Sequence, residues 1–297
     1  MRWSRGGGRP GDLIDARGAG GGGGGGFGLP IGRAGGGLGL VGVIVYIAFQ
    51  LLGGGSAGGY GVDNPLGGSA DAPQQAPIPA SQDPDRDLKD FSAYVFSNAQ
   101  DAWTKILRAD GQTYRRAKLV LFSGGVRTGC GSASSAVGPF YCPPDERFYL
   151  DLSFYNDMTH QLGAHGGDFA WAYVIAHELG HHVQKLLGTS DQVHQAEQDH
   201  PDEANALSVR LELQADCYAG VWAHTVYAAG DLQKGDVAEA LDAASSVGDD
   251  RLQRRSGGGV HPESFTHGTS EQRQRWFERG RASGNPGDCD TFSADSL

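Results

Sequence analysis

Glycine is distributed so unevenly along this chain that only part of it can form a packed domain. Of the 49 glycines in 297 residues, 24 lie within the first 59 positions. Glycine loses more conformational freedom on folding than any other residue, and a segment with few apolar side chains cannot offset that loss. We therefore predict a disordered Gly/Arg-rich tail over residues 1–37. The part from residue 88 onward is long enough for one large domain with a buried core.

An uncharged apolar run follows the glycine-rich tail. The run LGLVGVIVYIAFQLL extends from Leu38 to Leu52. It is shorter than the ~17–25 residues typical of a spanning helix, but neighbouring small residues can extend it. The pattern predicts a transmembrane helix over 38–55, followed by a flexible Gly/Pro-rich linker over 56–87. A signal-peptide apolar region and a buried core helix are the alternatives.

Charge divides the chain in the same place as glycine. Residues 1–52 hold five Arg and two Asp, and the remaining residues carry a net charge of −14. Because basic residues flank the inner side of a span, we expect a single-pass protein with its N-terminus inside and an exported domain. The acidic domain excludes nucleic-acid binding through bulk charge.

Four cysteines lie in the part predicted to be exported, where disulfides persist. Cys130 and Cys142 flank a loop rich in Gly and Ser, which favours a local bridge and leaves Cys217 to pair with Cys289. A structural zinc site made of four thiolates is the rival interpretation. Such sites usually show CxxC spacing, and no CxxC occurs here.

Hydrophobic periodicity predicts a mainly helical α+β domain with a small mixed sheet. One strand, over 147–154, alternates apolar and polar residues, so we expect one face to be buried. A helix is predicted to begin with Asp168 as its N-cap and to end at Gly188. The other predicted elements are a strand over 117–122 and helices over 90–108, 201–230, 236–247 and 270–279, the last with a capping box from Thr269 and Gln272 and an end at Gly280.

The sequence His177-Glu178-Leu179-Gly180-His181 lies in the middle of the predicted helix that ends at Gly188. Residues i and i+4 share a helix face, so both imidazoles can bind one zinc ion, with Glu178 beside the water on that metal. Apolar residues on both sides indicate a buried helix rather than a solvated one.

A catalytic zinc site needs a third protein ligand. Glu212 and Asp216 share a face of the next long helix, and this phase favours Glu212 as the ligand. Asp216 would then accept the outer N–H of a ligating imidazole. Two solvated carboxylates are the alternative, and the competing histidines, all less well phased, are His165, His194, His200 and His224.

The predicted chemistry is hydrolysis by an activated water. Glu178 would act as the general base. The developing oxyanion needs a donor, for which His267 is the first candidate because it precedes a capped helix. Tyr173 and Tyr218 are its rivals, and a purely structural role for His267 stays open.

Several segments together resemble the family of "putative neutral zinc metallopeptidases", which are bacterial membrane-anchored proteins. The resemblance implies a zincin-like fold, His177, His181 and Glu212 as zinc ligands, Glu178 as catalytic base, and peptidase activity. The segments that carry it are Met1-Arg2-Trp3 with the glycine run and the apolar span, CGSASSAVGPFYCPPDERFYLDLSF at 130–154, YVIAHELGHHVQ at 173–184, RLELQADCYAGVWA at 210–223, HGTSEQRQRWFERG at 267–280 and CDTF at 289–292.

The sequence thus predicts a zinc peptidase, an endopeptidase rather than an exopeptidase, anchored in the bacterial inner membrane with its catalytic domain outside the cytoplasm. Its expected partners are one catalytic Zn²⁺, a protein or peptide substrate and the membrane. The alternative is a zinc-containing binding or assembly protein that cleaves nothing.

Overall fold

A computed structural model describes residues 1–18, 77–257 and 259–297. Within these ranges the chain is a mainly helical α+β protein with a small mixed sheet, as predicted. The predicted span over 38–55 lies outside the described residues, as does most of the predicted linker over 56–87. Among the residues that the structure does describe, no helix is long and apolar enough to cross a membrane.

The described elements include six strands and eight α-helices. The strands are β1 Leu13–Asp15, β2 Lys118–Phe122, β3 Gly125–Thr128, β4 Gly131–Ser134, β5 Phe140–Cys142 and β6 Arg147–Asp151. The helices are α1 Arg86–Ala109, α2 Phe154–His160, α3 Asp168–Leu187, α4 Thr189–Asp199, α5 Ala204–Ala228, α6 Asp236–Ser246, α7 Asp249–Arg255 and α8 Ser270–Ser283.

The main sheet has the order β1-β2-β6-β5. β2 pairs in parallel with both β1 and β6, whereas β5 pairs antiparallel with β6. The prediction that β6 buries only one face is wrong. Phe148 and Leu150 join the main core, and Tyr149, on the opposite face, joins a smaller apolar cluster beneath Val137 and Phe140. The predicted strand also ends earlier, because α2 begins at Phe154.

Helices α5 and α8 cross at very short range. A Cβ atom added at Gly280 would lie 2.0 Å from the carbonyl oxygen of Cys217, and one added at Gly220 would lie 2.0 Å from that of Phe277. Gly280 therefore allows close packing and does not end the helix, contrary to the prediction. The helix continues to Ser283 and is capped by Gly284, whose φ of 66° is left-handed.

Two other predicted helix termini are confirmed, and a second one, besides Gly280, is wrong. Gly188 ends α3 with φ 81°, and Thr269 and Gln272 form the capping box of α8. Asp168, by contrast, is the first residue of α3 rather than its N-cap. Its carboxylate accepts a hydrogen bond of 2.7 Å from the amino group of Met1.

The prediction of a disordered tail is wrong for residues 1–18. Strand β1 forms the outer strand of the main sheet, with Ile14 opposite Val120. The Met1 side chain is 3% exposed and belongs to the main core. A short Gly-rich segment can therefore be ordered when it pairs with a strand of the domain and packs against the core.

The structure forms both disulfides that the spacing favoured. Cys130 pairs with Cys142 and closes the segment that contains β4. Cys217 pairs with Cys289 and ties the segment after α8 to α5. All four cysteines are consumed, so they do not form a zinc site.

One buried carboxyl group has no hydrogen-bond partner among the described residues. Glu197 of α4 is 7% exposed, and among the described residues neither carboxyl oxygen has a hydrogen-bond partner. Burial raises its pKa to about 7, because a charged carboxylate loses its hydration there. A pKa raised in the folded state means that the folded protein loses stability as the pH rises from the unfolded pKa toward 7.

We expect Glu197→Gln to remove this pH dependence. Between pH 5 and pH 8 the free energy of unfolding of the variant should rise relative to the parent by roughly 2–3 kcal/mol, because each pKa unit is worth about 1.4 kcal/mol. Urea unfolding at several pH values measures it. The exposed Glu203→Gln is the control, with a change below about 0.5 kcal/mol. A parallel pH dependence in the Glu197 variant and the parent would contradict the assignment.

Candidate metal centre

Helix α3 carries the two imidazoles of the predicted site. Its apolar residues Ile175, Leu179 and Val183 are fully buried, which fixes the rotation of the helix in the core. His177 and His181 consequently point into the same cleft, with ring centroids 4.9 Å apart. The amphipathic pattern of α3 thus orients both rings before any metal is considered.

Glu212 of α5 completes a group of three ligands. Its Oε2 lies 3.2 Å from His177 Nε2, and its Oε1 lies 3.5 Å from His181 Nε2. Zinc-to-ligand bonds of about 2.0–2.1 Å in a tetrahedron require ligand atoms about 3.3 Å apart. The donor set and its spacing therefore fit zinc, and the three ligand atoms all lie within 4.8 Å of one another.

Asp216 lies one helical turn after Glu212 and holds the outer side of His177. His177 Nδ1 is 2.8 Å from Asp216 Oδ1, which requires the N–H on Nδ1 and leaves Nε2 free for a metal. The carboxylate is completely buried. It also accepts hydrogen bonds from the Tyr173 hydroxyl and from Arg273, whose Nε is 2.8 Å from Oδ2. Burial opposes ionisation, but Arg273 and His177 outweigh it and lower the pKa of Asp216.

His181 has an equivalent support on the other side. Its Nδ1 lies 2.9 Å from Gln184 Oε1. The Gln184 amide nitrogen in turn donates to the Leu211 carbonyl oxygen at 2.7 Å and to Gln214 Oε1 at 3.1 Å. Both imidazoles are thus oriented through Nδ1, and both leave Nε2 facing Glu212.

Glu178 lines the same cleft, one residue beyond His177. Desolvation raises its pKa to about 7, and His177 opposes that rise. A carboxyl group with a pKa near neutrality can both accept and return a proton at physiological pH. The pKa of Glu212 shifts in the opposite direction. Burial works against its ionisation, yet His181 and His267 hold its pKa well below the ordinary range.

His267 lies in the loop before α8 and lines the cleft. Asp249 holds this loop, because its Oδ2 accepts the backbone N–H groups of Thr266, His267 and Gly268 at 2.6–3.0 Å. Its Oδ1 is 3.4 Å from His267 Nδ1. Burial lowers the pKa of His267, but Glu212 and Asp249 outweigh burial, so the net shift is upward.

The structure does not bring the other candidates to the metal centre. His165 and His200 are exposed, and His224 donates from Nδ1 to the Arg281 carbonyl oxygen at 2.8 Å. His194 lines the cleft but is not among the three clustered ligands. Of the rival oxyanion donors, Tyr218 lies in the core against Trp103, and Tyr173 directs its hydroxyl to Asp216.

Sequence reasoning missed two residues of this site, Arg273 and Gln184. Arg273 is 3% exposed and follows a capping box in a segment that otherwise reads as a polar helix. Nothing in its local pattern marks it as buried. Gln184 is more accessible to inference, since it stands three residues after His181 and therefore on the same helix face.

Comparison with known proteins identifies the family. A family model described as "Putative neutral zinc metallopeptidase" matches residues 1–292. The chain belongs to this family. The match includes the ordered N-terminal residues as well as α3, α5 and α8, so the family pattern covers every element of the metal centre.

Relatives in this family come from distant bacteria. The chain is 48% identical over 299 residues to the uncharacterized protein YpfJ of Escherichia coli K12, covering 98% of this chain and 99% of that protein. It is 47% identical over 211 residues to the uncharacterized protein Rv2575 of Mycobacterium tuberculosis H37Rv, covering 67% of this chain and 69% of that protein. No solved structure matches the chain.

We expect Asp216→Asn to weaken zinc binding about 10–100-fold, because the neutral amide no longer strengthens His177 as a ligand or compensates Arg273. Competition with a chromogenic chelator measures the affinity. The exposed Asp202→Asn should bind zinc as the parent does. An unchanged zinc affinity in the Asp216 variant would show that the hydrogen bond between Asp216 and His177 does not strengthen zinc binding.

Proposed function

We propose that this protein is a zinc-dependent peptidase that hydrolyses peptide bonds with a water molecule activated in the cleft beside Glu178. The observation that carries the proposal is the convergence of His177, His181 and Glu212 on one point, with Glu178 next to it. Two imidazoles, one carboxylate and an adjacent carboxyl base form the ligand and base set of a hydrolytic zinc site. We also propose a zincin-like fold, supported by a metal-binding helix packed on a mixed sheet.

His177, His181 and Glu212 would hold the zinc ion. When bound, zinc supplies a Lewis acid that polarises a carbonyl group and lowers the pKa of a coordinated water toward ~7. Asp216 and Gln184 keep the two imidazoles in the tautomer that offers Nε2. Arg273 pairs with Asp216 and lies 3.9 Å from Glu212 Oε2. Its positive charge therefore offsets the repulsion between the two buried carboxylates.

Glu178 is the proposed general base. Its carboxyl group takes the proton from the attacking water and returns it to the leaving amine, for which a pKa near neutrality is suited. His267 is the proposed donor to the developing oxyanion. Its raised pKa favours the protonated ring, and the Asp249 contacts hold its loop against the cleft.

The cleft supports a peptide substrate and an internal cleavage site. It has a volume of about 410 Å³ and follows α3 from Val174 to Lys185, a distance of about 16 Å at 1.5 Å per residue. An extended peptide of about five residues spans that length. The metal centre lies between the two ends, so substrate can occupy both sides of the scissile bond, which favours an endopeptidase.

The cleft has both apolar and charged walls. Val174, Leu162 and Leu252 are among its apolar residues, and Lys185 and Asp191 contribute an ion pair of 2.7 Å. The strand available for backbone pairing is β5, at the sheet edge, with Phe140 and Tyr141 lining the cleft. β6, the neighbouring strand, is already paired on both sides. We propose substrates that place a large apolar side chain on one side of the scissile bond.

An extracytoplasmic, bacterial location remains our proposal. Two disulfides within the domain support an oxidising compartment, and the relatives named above are bacterial. Attachment to the inner membrane through 38–55 rests on the sequence alone.

We expect Glu178→Gln to keep its zinc and to lose peptide cleavage by at least about 100-fold, because the amide cannot accept the proton. The measurements are metal content and cleavage of a denatured-protein mixture by the full-length protein. The exposed Glu203→Gln is the matched control and should cleave like the parent. A Glu178 variant as active as the parent would overturn the proposed mechanism, and a zinc-loaded parent that cleaves nothing would favour the binding-protein alternative.

A further inference from the structure

Residues 1–17 contact the part of the chain formed by residues 77–257 and 259–297, here called the zinc domain. A detached tail would not make these contacts. Strand β1 covers the outer edge of β2, and the backbone N–H of Ala16 donates to the Leu121 carbonyl at 2.8 Å. Trp3 packs edge-to-face on Phe91 of α1, with ring centroids 5.2 Å apart. The approach to α1 is so close that a Cβ atom at Gly8 would lie 2.8 Å from the backbone of Ala93.

Charged groups join the same two parts of the chain. The Arg17 guanidinium, whose side chain is 2% exposed, donates to Asp83 at 2.6 and 3.0 Å and to Asp15 at 2.8 and 2.9 Å. Lys89 Nζ lies 2.6 Å from the same Asp83 carboxylate. Burial opposes ionisation of Asp83, but Arg17 and Lys89 lower its pKa to about 2. Without Arg17, this buried carboxylate would lose its main hydrogen-bond partner.

The N-terminal end of α3 is a second point of attachment. The Met1 amino group lies 2.7 Å from Asp168 and 3.2 Å from Asp236, between the helices α3 and α6. Because α3 carries the zinc ligands His177 and His181, the N-terminal segment braces the helix on which the metal centre depends.

The same contacts explain the basic residues before the apolar run. Arg5 pairs with Asp87, Arg9 pairs with Asp101, and Arg17 pairs with Asp83. Arg2 donates to the Gly230 carbonyl. Four of the five arginines on which the inside orientation was predicted therefore have partners on the zinc domain. Their positions are accounted for by pairing, and they are not evidence for a cytoplasmic N-terminus.

We infer that residues 1–17 are an integral part of the zinc domain and lie in the same compartment as the metal centre. Gly18 and Pro77, the described residues on either side of 19–76, then lie on the same side of any membrane. This arrangement is incompatible with a single crossing between an inner N-terminus and an outer domain. The inference does not rest on peptidase activity.

Thiol labelling in intact cells tests the compartment directly. Gly11→Cys and Ala282→Cys each place one thiol at an exposed position. Gly11 lies in the N-terminal segment, where an added Cβ atom has no neighbour within 4 Å, and Ala282 lies on α8. Full-length variants in a bacterial host are treated with a membrane-impermeant maleimide before and after lysis, with the parent chain as the blank. We expect both thiols to be labelled together, or both to be protected until lysis. Labelling of only one of them in intact cells would overturn the inference.

Stability of the full-length protein tests the docking itself. Arg17→Gln should lower the Tm by roughly 6–15 °C, because it leaves buried Asp83 short of a partner. Arg5→Gln is the matched control, since Arg5 and Asp87 are 57% and 71% exposed, and its Tm should stay within about 2 °C. An Arg17 variant as stable as the parent would show that the segment is not docked. Neither readout depends on cleavage, so a protein that cleaves nothing would leave the inference intact.

Discussion

The metal centre depends on one buried carboxylate, that of Asp216. It receives hydrogen bonds from His177 and Tyr173 on α3 and from Arg273 on α8, while it is itself part of α5. Asp216 is completely buried. Burying a carboxylate costs much free energy unless it is paired with a cation and hydrogen-bonded. The three helices must therefore meet in one arrangement, and that arrangement also places Glu212 opposite the two imidazoles.

The packing around Asp216 explains features that lie far from the chemistry. Arg273 reaches Asp216 only because α8 lies almost in contact with the backbone of α5, which the absence of side chains at Gly220 and Gly280 permits. The Cys217–Cys289 disulfide holds the segment after α8 to the same helix. Two glycines and a disulfide thus help to position the Arg273 guanidinium. Through Asp216, this guanidinium also helps to orient His177.

The sheet supports the opposite side of α3. His182, adjacent to a proposed ligand, faces away from the cleft. Its Nε2 donates to the Arg115 carbonyl at 2.6 Å, and its Nδ1 accepts from the Tyr141 hydroxyl at 2.8 Å. Tyr141 belongs to β5, the edge strand of the cleft. The strand proposed to bind substrate is therefore joined to the helix proposed to bind zinc. At the other side of the sheet, the N-terminal strand β1 pairs with β2 and forms the outer strand.

The sequence by itself determined whatever depends on local spacing. Residues four apart on a helix share a face, so HExxH and the pair Glu212 and Asp216 were readable, as were the Gly188 terminus and the capping box of α8. Only the tertiary structure decided what depends on contacts distant in sequence. Burial of Arg273 and docking of residues 1–17 follow from partners at least 57 residues away, such as Asp216 for Arg273 and Arg116 for Asp12. The second buried face of β6 depends on the cluster that Tyr149 forms with Val120, Val137 and Phe140. The glycine-rich composition predicted disorder because ordering many glycines costs conformational entropy. The contacts that offset this cost, with the edge of β2 and with buried Asp83, depend on residues far away in the sequence.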